Sequence, residues 1–186
     1  MGAGAASIPR NTGCTWSHAE EHSGMLAIQR RDAAMTAPVQ LDAPDIQDVV
    51  QSRTLGLAYV GTVLVVAHNA QPPAPDDWAR YCELIARHQD TATGQLVLAE
   101  GPGPNATQRQ QALNQVPKDY VIPPTAVFTE SPLVRGVVTL FNWFSPRAMR
   151  AFIPGDIPGA ARHLGLSEEQ VRRLVDIGKT VRPALQ

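Results

Sequence analysis

Three strand-like segments that alternate with helical segments constrain the fold of this chain more than any other feature. Apolar and β-branched residues predict strands at 95–100, 124–129 and 149–153, and a helical segment follows each of them. Strands that alternate with helices pair in parallel, because each helix carries the chain back across the sheet before the next strand begins. The sequence therefore predicts an α/β fold.

Two further apolar segments precede these units. Residues 54–60 and 62–68 are predicted strands, and Gly61 between them predicts a tight turn. Neither segment alternates between apolar and polar residues, as expected where both faces of a sheet are covered. The predicted architecture is a small, mostly parallel α/β sheet of four or five strands with helices packed on it.

Capping residues mark where the predicted helices begin. Asp76 is the predicted N-cap of the helix that follows a proline-rich loop, and Ser167 with Gln170 fits a capping box at the last helix. Pro132 stands directly after Ser131, in the position that proline favours at a helix start. The remaining predicted N-caps are Asn105, Ser131 and Asp156.

Cys82 is the one cysteine in a segment with clear periodicity. Trp78, Tyr81, Cys82 and Ile85 recur at helical spacing, which predicts a core-facing stripe and a buried structural thiol. The alternative is a cysteine nucleophile with His68 or His88 as its base.

Composition excludes several classes of function. The net charge of −1 and the aromatic content of 5% give no case for binding nucleic acid. No apolar run approaches the roughly 18 residues that span a bilayer, so no membrane insertion is expected. Cys14 and Cys82 form no disulfide framework, and the expected location is the reducing cytoplasm.

The 186 residues are expected to hold one domain. We place an α/β domain at 52–182 and an N-terminal extension at 35–51. Residues 1–34 lack sustained periodicity, and we expect either a disordered tail or a segment upstream of the true start at Met35. Cys14, His18 and His22 lie within it, but no fourth ligand follows, so no metal site is predicted.

A Gly-x-Gly segment follows the strand at 95–100. Gly101, Gly103 and Ala106 match the letters of a dinucleotide-binding turn before a helix. Such turns bind phosphate through backbone N–H groups, which Pro102 and Pro104 lack. The prediction is a stiff structural turn with no nucleotide, and no cofactor is assigned to the chain.

The carboxyl ends of the predicted strands carry polar residues. Glu100 and Glu130 each end a strand, at the edge where α/β sheets build their sites. Arg135 lies one turn inside the following helix, where it either binds an anionic group or is simply solvated. No pair of acids is marked for acid–base chemistry, so no catalytic residue is assigned.

Three stretches resemble a known family. LAEGPGPNATQR, FTESPLVRGVVTLFNWF and MRAFIPGDIPGAARHLGL, in the order of elements from about residue 52 to 180, resemble the STAS fold of anti-sigma-factor antagonists. The chain is more similar to the uncharacterised bacterial proteins grouped as SpoIIAA-like or STAS/SEC14-like. The resemblance implies a non-enzymatic regulatory module that binds a protein partner.

The same resemblance implies a control site. In the antagonists, a serine at the start of the helix after the third strand is phosphorylated by a partner kinase. Thr107 is the nearest hydroxyl at that position, although the family's Asp-x-Ser is absent here. SEC14-like relatives imply an alternative, a carrier of a lipid or small apolar ligand. An enzyme with its site at the strand carboxyl edge is the third alternative.

Two segments form the candidate partner surface, because each follows one of two successive parallel strands and both should lie at the same sheet edge. Helix N-termini at this edge would suit an acidic group of a partner. The candidate residues are Gly101, Gly103, Asn105, Thr107, Ser131 and Arg135.

Overall fold

A six-stranded sheet occupies the centre of the computed structural model, which describes residues 46–144 and 148–183. The order across the sheet follows the order along the chain: β1 (Ile46–Gln51), β2 (Leu55–Val60), β3 (Val63–His68), β4 (Gly94–Ala99), β5 (Thr125–Phe128) and β6 (Met149–Phe152). The first three strands are antiparallel neighbours, whereas β3 to β6 pair in parallel. The predicted α/β class and mostly parallel sheet are confirmed.

Five helices complete the described fold. Three of them connect the parallel strands, and two follow the last strand. They are α1 (Pro75–His88), α2 (Ala106–Asn114), α3 (Pro132–Phe144), α4 (Ile157–Leu164) and α5 (Glu168–Val181).

The sheet has more strands than the four or five predicted, because β1 was not recognised. Residues 46–51 were placed in an N-terminal extension, but they pair with β2 as an edge strand. An edge strand with one partner buries little, so its apolar signal is weak. Asp48, with φ of 50°, also interrupts the alternation where the β1–β2 register shifts.

The two faces of the sheet are covered by different helices. Alternate residues of the strands, such as Val65 and Leu96, pack against α4 and α5. The alternate residues between them face the other side of the sheet, where Val66 packs against α1 and Val127 packs against α3. The predicted core stripe of α1 is confirmed, since Trp78 and Cys82 are buried and Tyr81 and Ile85 are partly buried. The sheet is therefore the middle of three layers.

The start of α1 differs from its prediction. The N-cap is Ala74, without a side-chain cap, so Asp76 is not the N-cap. The neighbouring acid Asp77 is used elsewhere: its Oδ2 accepts from the Thr54 N–H at 2.9 Å and from the Thr54 hydroxyl at 2.6 Å. Thr54 Oγ1 in turn accepts from the N–H of Ala74 at 2.8 Å. The acidic first turn thus ties α1 to the segment before β2.

The other predicted caps are confirmed. Asn105 and Ser167 form capping boxes, and Asp156 Oδ1 accepts from the Gly159 N–H at 3.0 Å. Ser131 Oγ accepts from the Val134 N–H at 3.4 Å. The helix-capping residues are therefore the local features that the sequence predicts most clearly.

Candidate functional site

The Gly-x-Gly segment after β4 is held by packing and capping. A Cβ at Gly101 would lie 2.4 Å from the carbonyl oxygen of Ala70, so only glycine fits there. Asn105 Oδ1 accepts from the Gln108 N–H at 2.9 Å, and Gln108 Oε1 accepts from the Asn105 N–H at 3.0 Å. Gln108 Nε2 also donates to the carbonyl of Pro73 at 2.8 Å. These contacts account for the segment without a phosphate.

The second predicted segment follows β5. Thr129 Oγ1 accepts from the Ser131 N–H at 3.1 Å, which turns the chain into α3. Arg135 is exposed, and its Nη2 lies 3.4 Å from the carbonyl oxygen of Glu130. Thr107, in the first turn of α2, is also exposed.

An open groove of about 890 Å³ lies at the carboxyl ends of β4 and β5. We call it the carboxyl-edge groove. Its apolar lining includes Leu98, Phe128, Ile157 and Val175, and the hydroxyl-bearing Ser131 borders it. Leu98 and Phe128 belong to the face of the sheet that α4 and α5 cover, so the groove opens on that face.

Charged side chains of α5 and its C-cap border the carboxyl-edge groove, together with acids. The Arg182 guanidinium donates to the carboxylate of Glu100, and Lys179 Nζ lies 3.0 Å from Asp176 Oδ1. Arg172 Nη2 pairs with Glu168 Oε2 at 2.6 Å. Each of these basic groups has an acidic neighbour, so the rim is charged without a strong excess of one sign.

Two exposed apolar side chains lie at the same edge, and sequence reasoning did not single them out. Leu133, in the first turn of α3, is 67% exposed, and Ile153, directly after β6, is 59% exposed. Since β5 and β6 are parallel neighbours, both side chains follow the carboxyl ends of adjacent strands. The available signal was an apolar residue either directly after a strand, as at Ile153, or in the first turn of the following helix, as at Leu133.

A second opening lies on the other face of the sheet. It is a cavity of about 190 Å³ between the sheet and α1, α2 and α3, and we call it the sheet–helix cavity. Val97 and Val127 contribute from the strands, Trp78 from α1, Ala112 from α2 and Val138 from α3. Its lining is mostly aliphatic and aromatic, and no motif in the sequence predicted it.

His68 is a buried titratable group that borders this cavity. It is the last residue of β3, it is 4% exposed, and its side chain borders the cavity. Its Nδ1 lies 3.4 Å from the carbonyl oxygen of Asn69. Burial lowers the pKa of His68 below its ordinary value of 6.5, so the imidazole is neutral at pH 7.

The thiol of Cys82 has the environment of a structural residue. It is buried, and desolvation raises its pKa, which disfavours the reactive thiolate. The proposed bases have other contacts: His88 Nε2 lies 2.7 Å from Asp48 Oδ2 and its ring stacks on Tyr59, while His68 lies against Asn69. The geometry favours the structural interpretation.

Two of the six predicted surface residues border an opening, one at each. Ser131 borders the carboxyl-edge groove, whereas Gly103 borders the sheet–helix cavity. Gly101 and Asn105 serve packing and capping. Thr107 and Arg135 are exposed.

The remaining expectations from the sequence concern metal ions and the membrane. Cys14, His18 and His22 lie outside the described residues. Among residues 46–144 and 148–183, no group of three or more His, Cys, Asp or Glu side chains is placed to hold a metal ion. Within the same ranges, no helix has the length and apolar character needed to cross a bilayer.

Among known proteins, this chain is similar to solved structures. No protein-family model matches the chain, and no curated protein matches it. A similar solved structure is that of an uncharacterised protein from the DUF3478 family with a SpoIIAA-like fold, from Shewanella loihica PV-4. The sequence identity is 13%, the TM-score is 0.40, and the match covers 57% of this chain and 89% of that chain. The neighbour has the SpoIIAA-like fold that the sequence resemblance predicted, and at this TM-score it carries no argument about the site.

Proposed function

We propose that this chain is a non-enzymatic regulatory module that binds a segment of a partner protein in the carboxyl-edge groove. The observation that carries the proposal is the combination, at one sheet edge, of an apolar groove lining, a charged rim and two exposed apolar side chains. Protein interfaces have this composition, with an apolar centre and a polar border.

Leu133 and Ile153 are the side chains expected to contribute most to binding. A single exposed apolar residue is ordinary on a protein surface, but these two follow the carboxyl ends of adjacent strands, at the sheet edge where the groove opens. Burial of both against a partner removes apolar surface from water, and this is the main favourable contribution to association.

The rim indicates the charge of the partner segment. Because Arg172, Lys179 and Arg182 each have an acidic neighbour, the groove favours a segment of mixed charge over a polyanion. Arg135 remains the proposed contact for an acidic group of the partner, since its side chain is exposed near the start of α3.

Thr107 remains the proposed site of phosphorylation. Its hydroxyl is exposed in the first turn of α2, where a phosphate would interact favourably with the helix dipole and add nearly two negative charges. The expected consequence is a change in affinity for a partner that extends from the groove towards α2.

The test is quantitative capture of partners from a lysate of the organism that makes the protein. We expect the double variant Leu133→Glu/Ile153→Glu to lose about 90% or more of a specifically captured partner, because two buried contacts become charged. Val121→Glu is the matched control: Val121 is 64% exposed, but it lies in the loop that enters the amino end of β5, at the opposite edge.

Melting curves of the variants check that each remains folded. Equal capture by wild type, the double variant and the control would show that the groove does not bind the partner. Thr107→Glu and Arg135→Glu, tested in parallel, report whether the contact extends to those two residues.

A further inference from the structure

Three helices and the sheet form the walls of the sheet–helix cavity. Trp78 is fixed in the wall because its indole Nε1 donates to the carbonyl oxygen of Gln108 at 2.7 Å, which also joins α1 to α2. Val134 and Val138 of α3 are buried against Val127 of β5. These contacts hold α1, α2 and α3 around the space.

The volume of the cavity limits the size of the molecule that can occupy it. Its volume is about 190 Å³. An engineered apolar cavity of about 150 Å³ in another protein stays dry and binds benzene. A molecule of about six to ten non-hydrogen atoms fits such a volume.

The polar groups of the wall are engaged or neutral. Gln95 Nε2 donates to the Tyr81 hydroxyl at 3.0 Å, and burial raises the pKa of Tyr81 to about 12. Arg109 borders the cavity, but its Nη1 donates to the carbonyl of Pro104 at 2.6 Å, in the loop before α2. A charged occupant would lose its hydration, and the cationic Arg109 on the wall already donates to a backbone carbonyl.

His68 provides one polar contact for an occupant. If Nδ1 donates to the carbonyl of Asn69, the neutral ring leaves Nε2 as an acceptor. An N–H or O–H group on an otherwise apolar molecule suits that acceptor.

We propose that the sheet–helix cavity is a binding site for one small, uncharged apolar molecule, such as a one- or two-ring aromatic compound with a single N–H or O–H group. This site lies on the opposite face of the sheet from the carboxyl-edge groove and does not depend on the groove's proposed function.

Indole is the probe for this site, and benzoate is the charged probe of similar size. We expect indole to raise the melting temperature of the full chain and to bind saturably in calorimetry, and benzoate to bind at least about tenfold more weakly. Saturable binding of indole supports the proposal. Tighter binding of benzoate or of a long-chain fatty acid than of indole overturns it, because the site would then select charge or length.

Cavity-filling variants locate the binding. Ala112→Leu adds volume from α2, and Val137→Phe adds volume from α3; each is expected to weaken indole binding by about tenfold or more while the protein remains folded. Ala106→Leu is the matched control, since Ala106 is an exposed residue of the same helix α2. Unchanged indole affinity in both filling variants, or no binding to the wild type up to the solubility limit of indole, overturns the proposal.

Discussion

The carboxyl-edge groove and the sheet–helix cavity are built from the same two strands. Leu98 and Phe128 face the groove, and their neighbours Val97 and Val127 face the cavity, because successive side chains of a strand point to opposite faces. The groove is open and has a charged rim, whereas the cavity is smaller and mostly apolar. Because of this difference, we propose a macromolecular partner on one face and a small molecule on the other.

This arrangement has a practical consequence for mutagenesis. A substitution at Val97 or Val127 changes the cavity, and a substitution one residue later, at Leu98 or Phe128, changes the groove. Ala99, at the end of β4, borders both openings and is the exception.

The largest effect is expected at Asp77, whose hydrogen bonds with Thr54 anchor the start of α1 to the segment before β2. Helix α1 borders the cavity but not the groove. Asp77→Ala removes the acceptor of two hydrogen bonds from Thr54 and should lower the free energy of unfolding by about 3 kcal/mol, measured by urea denaturation. The same variant should bind indole more weakly, because Trp78, the residue after Asp77, lines the cavity. Its capture of the protein partner should persist, because α1 does not border the groove. Asp77→Asn retains an acceptor oxygen and should recover part of the stability.

The same anchor predicts a dependence on pH. Burial disfavours the ionised Asp77, but hydrogen bonds from Thr54 outweigh it and hold the pKa of Asp77 below the ordinary value of 3.8. The unfolded state therefore binds the proton more readily, so the contribution is complete above about pH 4 and is lost as pH falls through the folded-state pKa. Asp77→Ala should reduce this acid-dependent loss of stability. If the variant and the wild type lose stability equally as the pH falls, the hydrogen bonds of Asp77 do not anchor α1.

A smaller effect distinguishes the packing of the two faces. Val65→Ala, in the closely packed layer under α5, should cost about 2 kcal/mol of unfolding free energy. Val127→Ala, beside the cavity, should cost about 1 kcal/mol, because part of its surface already lacks neighbours. Equal costs in urea denaturation would indicate that the cavity is filled by other atoms of the chain.

His68 should produce a weaker dependence on pH. Burial lowers the pKa of His68, so the unfolded state binds its proton more readily and stability falls as pH decreases below about 6.5 towards the folded-state pKa. His163, whose pKa burial also lowers, contributes in the same direction. Melting temperatures between pH 7 and 5 should fall less steeply for His68→Asn than for the wild type, and parallel slopes would contradict this.

The smallest effect is expected at Cys82. Because the thiol is buried and its pKa is raised, thiol reagents at neutral pH should label it slowly until denaturant is added. Rapid labelling of Cys82 in the folded protein, located by peptide mass spectrometry, would restore the nucleophile hypothesis with His68 and His88 as bases to test.

The parts of the fold that local signals specify could be predicted from the sequence. Asn105, Asp156 and Ser167 cap helices as expected, and Gly61 forms the turn between β2 and β3 with φ of 60°. The hydrogen bonds of Asp77 could not be predicted from local signals, because its partner Thr54 lies 23 residues earlier in the chain.

The candidate sites were only partly predictable. Parallel pairing placed Glu100 and Ser131 at the carboxyl edge, and both border the groove. The cavity arises from the spacing of α1, α2 and α3 over the sheet, and side-chain packing sets that spacing. No single residue encodes this spacing, so the sequence did not predict that Gly103 borders a cavity.

Titration of the isotope-labelled full chain with indole, followed by the amide and indole N–H resonances in NMR, tests the separation of the two sites most directly. The account predicts saturable shifts for the Trp78 indole N–H and for Val97 and Val127, with little change at Val175 and Lys179 of α5. Shifts confined to the groove residues, or spread equally over both faces, would contradict it.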